Sequence, residues 1–155
     1  MTVDRVPDEV ETHPMFVDGE RTEASSGEWI DVSFPYTTET WARVPRGTAA
    51  DVDEAVESAR RCFESDEWQS LDGTDRGELL SAFAEELQGY GDELARQGVL
   101  GNGKLLSELE GRVGVVSDWL RYFAGLADKV QGDVIPDGTE GMFVHTRRDP
   151  YGVVG

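Results

Sequence analysis

The stretch Gly98 to Leu105, GVLGNGKL, differs at one position from a phosphate-binding loop. Such a loop reads G-x-x-x-x-G-K-[ST]: its amides and lysine hold phosphate, and its final hydroxyl binds Mg²⁺. Leu105 stands at the hydroxyl position, and the preceding residues, DELARQ, are typical of a helix rather than a strand. We therefore interpret the stretch as a helix that ends at glycine, a link through Asn102 and Gly103, and the start of another helix.

Cys62 is the only cysteine in the sequence. An internal disulfide is therefore excluded, which fits a reducing compartment and a cytoplasmic location. A cysteine becomes a catalytic nucleophile when a neighbouring base activates it. The surrounding sequence suggests no such base, and Cys62 falls on the apolar side of a predicted helix, so we expect a small core residue.

Short strands are predicted in the first third of the chain. Asp18-Gly19 separates two runs of alternating residues, which is typical of a β-hairpin with a tight turn. Two further strands are predicted at 29–33 and 41–44, the second ending at Pro45. Strands this short need another layer to pack against.

Three helices are predicted next. Thr48 and Asp51 have the spacing of a capping box, followed by an apolar stripe from Val52 to Phe63. The second helix loosens at Gly89 and Gly91. The third has apolar residues at steps of three and four over 106–127, which predicts one packed face. Its glycines suggest close approach of a neighbouring element: Gly111, Gly114 and Gly125.

After Lys129 the apolar period changes to two. Residues 130–136 and 142–148 are predicted to be strands of a β-ribbon around the turn residues 137–141. The final run, Gly152-Val153-Val154-Gly155, is typical of the first buried strand of a parallel sheet. An exposed ribbon edge favours addition of a strand from a partner. The candidate oligomer interface comprises Val134, Ile135, Phe143, Val144, His145, Thr146 and Arg147.

The chain is strongly acidic, with 32 acidic and 14 basic residues and a net charge of −18 among 155 residues. This charge argues against nucleic acid and anionic lipid as partners. The acids are spread along the whole chain, and only Lys104 and Lys129 are lysines. We favour a protein of a very salty cytoplasm, where salt screens self-repulsion, over an ordinary acidic protein.

Several segments together resemble the start of an NAD(P)-dependent aldehyde dehydrogenase. They are MFVDGE, ARVPRGTAADVDEAVESARRCF, LGNGKLLSE, WLRYFAGLADKVQGDVIP and HTRRDPYGVVG. The resemblance runs from about Met15 to Gly155. It departs from the family at Leu105, where proline is usual, and at Gly101, where an acidic or polar residue is common. It implies an α/β fold made of β-hairpins, a layer of three to four helices, the ribbon of an oligomerisation arm and the start of the first Rossmann-like strand.

The resemblance also implies a division of the chain. Residues 1–14 are expected to be a disordered acidic leader, without the apolar region of a secretory signal. Residues 15–130 would form the hairpins and the helical layer, residues 131–150 the ribbon, and residues 151–155 the start of the first strand of the cofactor domain. No stretch is long and apolar enough to span a membrane.

In the family, a catalytic cysteine and a glutamate oxidise an aldehyde to a carboxylic acid with NAD or NADP. The motifs that carry them, Glu-Leu-Gly-Gly and Gly-Gln-x-Cys, do not occur in this sequence. We therefore expect no catalytic, cofactor-binding or metal-binding residue here, and no activity or cofactor binding by this chain alone. The aldehyde and the choice between NAD and NADP stay open.

Three interpretations remain. The chain could be the N-terminal portion of an aldehyde dehydrogenase, inactive by itself. It could belong to a split enzyme whose missing C-terminal portion is a separate polypeptide. It could instead be a stand-alone interaction module that associates through its ribbon. The expected partner is accordingly a second copy of the chain or the remainder of the enzyme.

Overall fold

The computed structural model describes residues 5–136 and 139–155, which form a mixed α/β structure of small sheets and helices. The strands are β1 (Glu11–Thr12), β2 (Met15–Val17), β3 (Glu20–Thr22), β4 (Trp29–Ser33), β5 (Thr40–Pro45), β6 (Val134–Ile135) and β7 (Val144–His145). The helices are α1 (Ala49–Glu64), α2 (Asp66–Gln69), α3 (Gly73–Gly89), α4 (Gly91–Asn102) and α5 (Leu106–Ala124), and a 3-10 turn follows at Ala127–Lys129. The break between α3 and α4 lies at Tyr90, as the paired glycines predicted.

The hairpin predicted around Asp18-Gly19 is confirmed. Strands β2 and β3 pair antiparallel, and both turn residues have positive φ, 55° for Asp18 and 79° for Gly19. Positive φ at both positions is the geometry of a type I′ turn, which matches the twist of the flanking strands. The Asp18 carboxylate accepts hydrogen bonds from the Ser58 hydroxyl at 2.8 Å and the Arg61 guanidinium at 3.4 Å, which ties the hairpin to α1.

A second sheet has the strand order β1-β5-β4, with β1 parallel and β4 antiparallel to β5. Residues 11–14 therefore depart from the disordered leader expected for 1–14. The His13 amide donates to the Arg43 carbonyl at 3.0 Å, and Val6 packs against the core. The edge of β5 supplies backbone partners that the composition of the leader could not reveal.

The core lies between this sheet and the helices. It is an apolar cluster of buried residues from the loop after β4, from β5 and from α4, partly covered by α5. Its buried members are Phe34, Trp41, Ala42, Val99 and Leu100, and its partly buried members are Val6, Val32, Leu106 and Leu109. Burial of each large side chain contributes roughly 1.5–3 kcal/mol.

The helical layer is held by a close contact between α3 and α5, but not through the glycines expected for it. A Cβ atom added at Gly111 or Gly114 would meet no atom of another element within 4 Å, and one at Gly125 would meet only its own helical turn. The close approach instead uses Gly77, where a Cβ would lie 2.8 Å from the Ala124 carbonyl oxygen, and Gly73 against Ala127. Spacing along one helix does not show which side its neighbour occupies.

The β-ribbon is present but shorter than predicted, because β6 and β7 have two residues each. The turn residues 137 and 138 lie outside the described part of the chain. Residues 151–155 do not form a strand here, and Gly152 has a positive φ of 85°. A Cβ atom added at Gly152 would lie 3.4 Å from the Phe63 ring. A parallel strand needs a hydrogen-bonding neighbour, which the described residues do not place beside this segment.

Among the described residues, none of the helices is both long enough and apolar enough to cross a membrane.

Candidate interaction surfaces

The seven residues of the predicted oligomer interface lie together on the ribbon. Val134 pairs with His145 and Ile135 pairs with Val144, while Phe143, Thr146 and Arg147 flank β7. The ribbon is largely exposed, with 66% of Val134 and 72% of Phe143 accessible to solvent. The Phe143 ring lies 5.3 Å from the His145 ring, and Arg147 is paired with Asp149 at 2.7 Å. The arrangement is a narrow strand pair with apolar side chains in water.

A second apolar surface lies on α5, where the sequence predicted only one packed face. Trp119, Tyr122 and Phe123 form an aromatic cluster with ring centroids 5.3–6.1 Å apart. Their exposed fractions are 58%, 60% and 52%. Val115 and Asp118 complete an open groove of about 340 Å³ beside Trp119 and Tyr122. The spacing i, i+3, i+4 of the three aromatic residues could have indicated this surface.

Much of the apolar stripe predicted on α1 is also in water. Val52 and Val56 are exposed, and so is Cys62, which contradicts the expectation that Cys62 fills a core. The helix contacts α2 and β2, and neither covers this stripe. An amphipathic pattern shows that a face is apolar, but not that its partner lies within the same chain.

The glycine-lysine stretch is a helix-to-helix link, as interpreted from the sequence. Helix α4 continues to Asn102 and ends at Gly103, whose φ of 72° is the left-handed conformation of a glycine cap. The Lys104 amide donates to the Asn102 side-chain oxygen at 3.0 Å. Gly103 lies against Pro35 and Tyr36, so the loop packs on protein rather than opening toward a phosphate.

A partly buried ionic contact anchors β1 to α4. The Arg96 guanidinium lies 2.8 Å from carboxylate oxygens of both Glu93 and Glu11. Its hydrogen bond lowers the pKa of Glu93, and the bonds to Glu93 and Glu11 raise the pKa of Arg96. These groups are partnered within the fold and therefore have a structural role. Over residues 5–136 and 139–155, no group of three or more His, Cys, Asp or Glu side chains is placed to hold a metal ion.

Comparison with known proteins identifies the family. The aldehyde dehydrogenase family matches residues 22–155, which is most of the chain. The chain belongs to the aldehyde dehydrogenase family. The phenylacetaldehyde dehydrogenase of Pseudomonas fluorescens is 38% identical over 151 residues, covering 92% of this chain and 30% of that protein.

Solved structures of aldehyde dehydrogenases share the fold. A variant aldehyde dehydrogenase from Bacillus cereus superposes with a TM-score of 0.84 at 30% identity, over 90% of this chain and 28% of that one. The betaine aldehyde dehydrogenase of Staphylococcus aureus, in complex with NAD⁺, superposes with a TM-score of 0.77 at 34% identity. The match covers 82% of this chain and 25% of that one. This chain thus spans less than a third of the length of these relatives and corresponds to the N-terminal part of their fold.

Proposed function

We propose that this chain is the N-terminal portion of an NAD(P)-dependent aldehyde dehydrogenase, which oxidises an aldehyde to a carboxylic acid. The observation that carries the proposal is the family match over residues 22–155. The Staphylococcus aureus relative binds NAD⁺, which supports a nicotinamide cofactor for the complete enzyme. The 155 residues lack the family's cysteine and glutamate motifs, so we propose no aldehyde oxidation by this chain alone.

In this proposal the chain contributes surfaces rather than reacting groups. The exposed stripe of α1 and the aromatic cluster of α5 would contact the remainder of the enzyme, because apolar patches of this kind mark interaction sites. The ribbon residues Val134, Ile135, Phe143, Val144, His145, Thr146 and Arg147 would mediate association with a second copy. A cytoplasmic location is supported by the free Cys62.

A salty cytoplasm is part of the same proposal. The net charge of −18 is not balanced within the fold, because 32 acidic residues face 14 basic ones. Most of the ion pairs formed by the described residues lie at the surface. Exposed pairs contribute little, typically below about 1 kcal/mol. Dissolved cations would therefore supply the screening that basic side chains do not.

A stand-alone interaction module is the second candidate, and the exposed ribbon favours it. Such a module would be a folded monomer or oligomer with no dependence on a catalytic portion. The split-enzyme alternative differs only in that the remaining part is a separate polypeptide.

A segment replacement tests the proposed function. Residues 22–155 would replace the matching segment of the Staphylococcus aureus betaine aldehyde dehydrogenase, and NADH formation from betaine aldehyde and NAD⁺ would be followed over a range of KCl concentrations. We expect a soluble chimera with activity, whereas the 155-residue chain alone forms no NADH. A soluble chimera without activity, or turnover by the isolated chain, would contradict the proposal.

A further inference from the structure

The base of the ribbon is closed by two hydrogen bonds between the same two residues. The Thr146 amide donates to the Asp133 carbonyl at 2.9 Å, and the Asp133 amide donates to the Thr146 hydroxyl oxygen at 2.8 Å. Asp133 and Thr146 lie in register with the pairs formed by β6 and β7. The Thr146 side chain thus takes the place of a backbone carbonyl in the ladder.

Gly132 makes this closure possible. A Cβ atom at position 132 would overlap the Thr146 carbonyl oxygen, and would lie 2.8 Å from the carbonyl carbon and 3.2 Å from the hydroxyl oxygen. Two of these three atoms belong to the backbone, so a larger residue could be accommodated only if the strands moved apart. Here glycine is required by close approach of the chain, not by a positive φ.

The rest of the ribbon fixes its own register weakly. Beyond Asp133 and Thr146, the described residues of the ladder form two pairs, Val134 with His145 and Ile135 with Val144. The described part of the chain packs no core against either face that would select one register, and a slip by one residue would move every side chain to the opposite face.

We propose that Gly132, Asp133 and Thr146 form a latch that sets the register of the ribbon for association with a second copy of the chain. The association rests on the proposed function, whereas the register does not. In an antiparallel ladder, hydrogen-bonded pairs alternate with pairs that are not hydrogen-bonded to each other. Because Asp133 and Thr146 are a hydrogen-bonded pair, the backbone N–H and C=O groups of Val134 and His145 point outward, to the two open edges. The latch thereby determines which residues meet an added strand. Gly132 is a positioning residue in this scheme.

Cysteine pairs in the full chain test the register. In a Cys62→Ser background, Val134→Cys with His145→Cys reports the observed register, and Val134→Cys with Val144→Cys reports a slip of one residue. We expect the first pair to form a disulfide readily and the second poorly. Adding Gly132→Ala should lower the in-register rate about tenfold, as expected when two ladder hydrogen bonds are lost.

Two further variants separate the latch from general damage. Thr146→Val removes the oxygen that accepts from Asp133 and should also lower the in-register rate, whereas Thr146→Ser should restore it. Gly111→Ala is the matched control, because it has open space around it and should leave the rate unchanged. An unchanged in-register rate in Gly132→Ala, or equal rates for the valine and serine variants, would overturn the latch.

Sedimentation of the same proteins tests the link to association. We expect the parent chain to self-associate and Gly132→Ala to shift toward monomer. If Gly132→Ala loses the register and still associates equally, the link is wrong. If the parent chain is monomeric at every concentration, ribbon-mediated association fails as part of the proposed function, and the disulfide rates still decide whether the latch sets the register.

Discussion

The Asp51 carboxylate shows how much of a local site can be read from spacing. The Thr48 amide donates to it at 2.6 Å, and the Asp51 amide donates back to the Thr48 hydroxyl at 3.4 Å, which confirms the predicted capping box. The Ser25 amide also donates to Asp51, at 2.9 Å. The first contact follows from a three-residue spacing, whereas the second joins segments 26 residues apart and could not be predicted.

Asp51→Asn should alter the acid dependence of stability. The amides of Thr48 and Ser25 lower the pKa of Asp51 to about 2, below the value of about 4 for a free aspartate. Because the folded-state pKa is lowered, the carboxylate stabilises the fold above about pH 4, and this contribution is lost as pH falls toward about 2. The free energy of unfolding, measured with denaturant at several pH values, should fall less steeply between about pH 4 and about pH 2 in the variant than in the parent chain. Asp53→Asn, on the exposed side of the same helix, is the control; equal pH profiles for both variants would contradict the assignment.

At the scale of elements, sequence patterns located most helices and strands and the hairpin partners that follow directly in the chain, but not the partners from distant segments. The hairpin turn, the cap of α1 and the break at Tyr90 depend on neighbouring residues and were predicted. Three other features depend on distant segments and were not predicted: the contact face of α5, the pairing of β1 with β5 and the exposure of the α1 stripe. The ribbon was found, but its length was overestimated, because alternation continues beyond the residues that actually pair.

The contact between α3 and α5 yields a prediction of opposite signs at two glycines. Gly77→Ala should destabilise the chain by about 1–3 kcal/mol, because the new methyl group meets the Ala124 carbonyl oxygen at 2.8 Å. Gly111→Ala should stabilise it by about 0.4–1 kcal/mol, because the site is open and alanine favours the helix. Chemical denaturation measures both. Equal effects at the two positions would mean that the helices do not approach at Gly77.

At the scale of the whole molecule, the charge predicts a dependence on salt. With a net charge of −18, repulsion is spread over the surface and is screened within about 3 Å at 1 M salt. We expect the melting temperature in 2 M KCl to exceed that in dilute buffer by about 5 °C or more, a change of one to two kcal/mol for a chain of this size. An equal concentration of a neutral osmolyte is the control. A melting temperature that does not respond to KCl would remove the support for a salty cytoplasm.

The exposed apolar faces offer the most direct test of the proposal that this chain is one part of a larger enzyme. Val52 and Val56 on α1, and Trp119, Tyr122 and Phe123 on α5, lie in water when the chain is alone. Hydroxyl-radical footprinting of the isolated chain and of the Staphylococcus aureus chimera compares the same side chains in both settings. The account predicts strong oxidation of Trp119, Tyr122 and Phe123 in the isolated chain and protection of these residues in the chimera. Equal oxidation in the two proteins would contradict it.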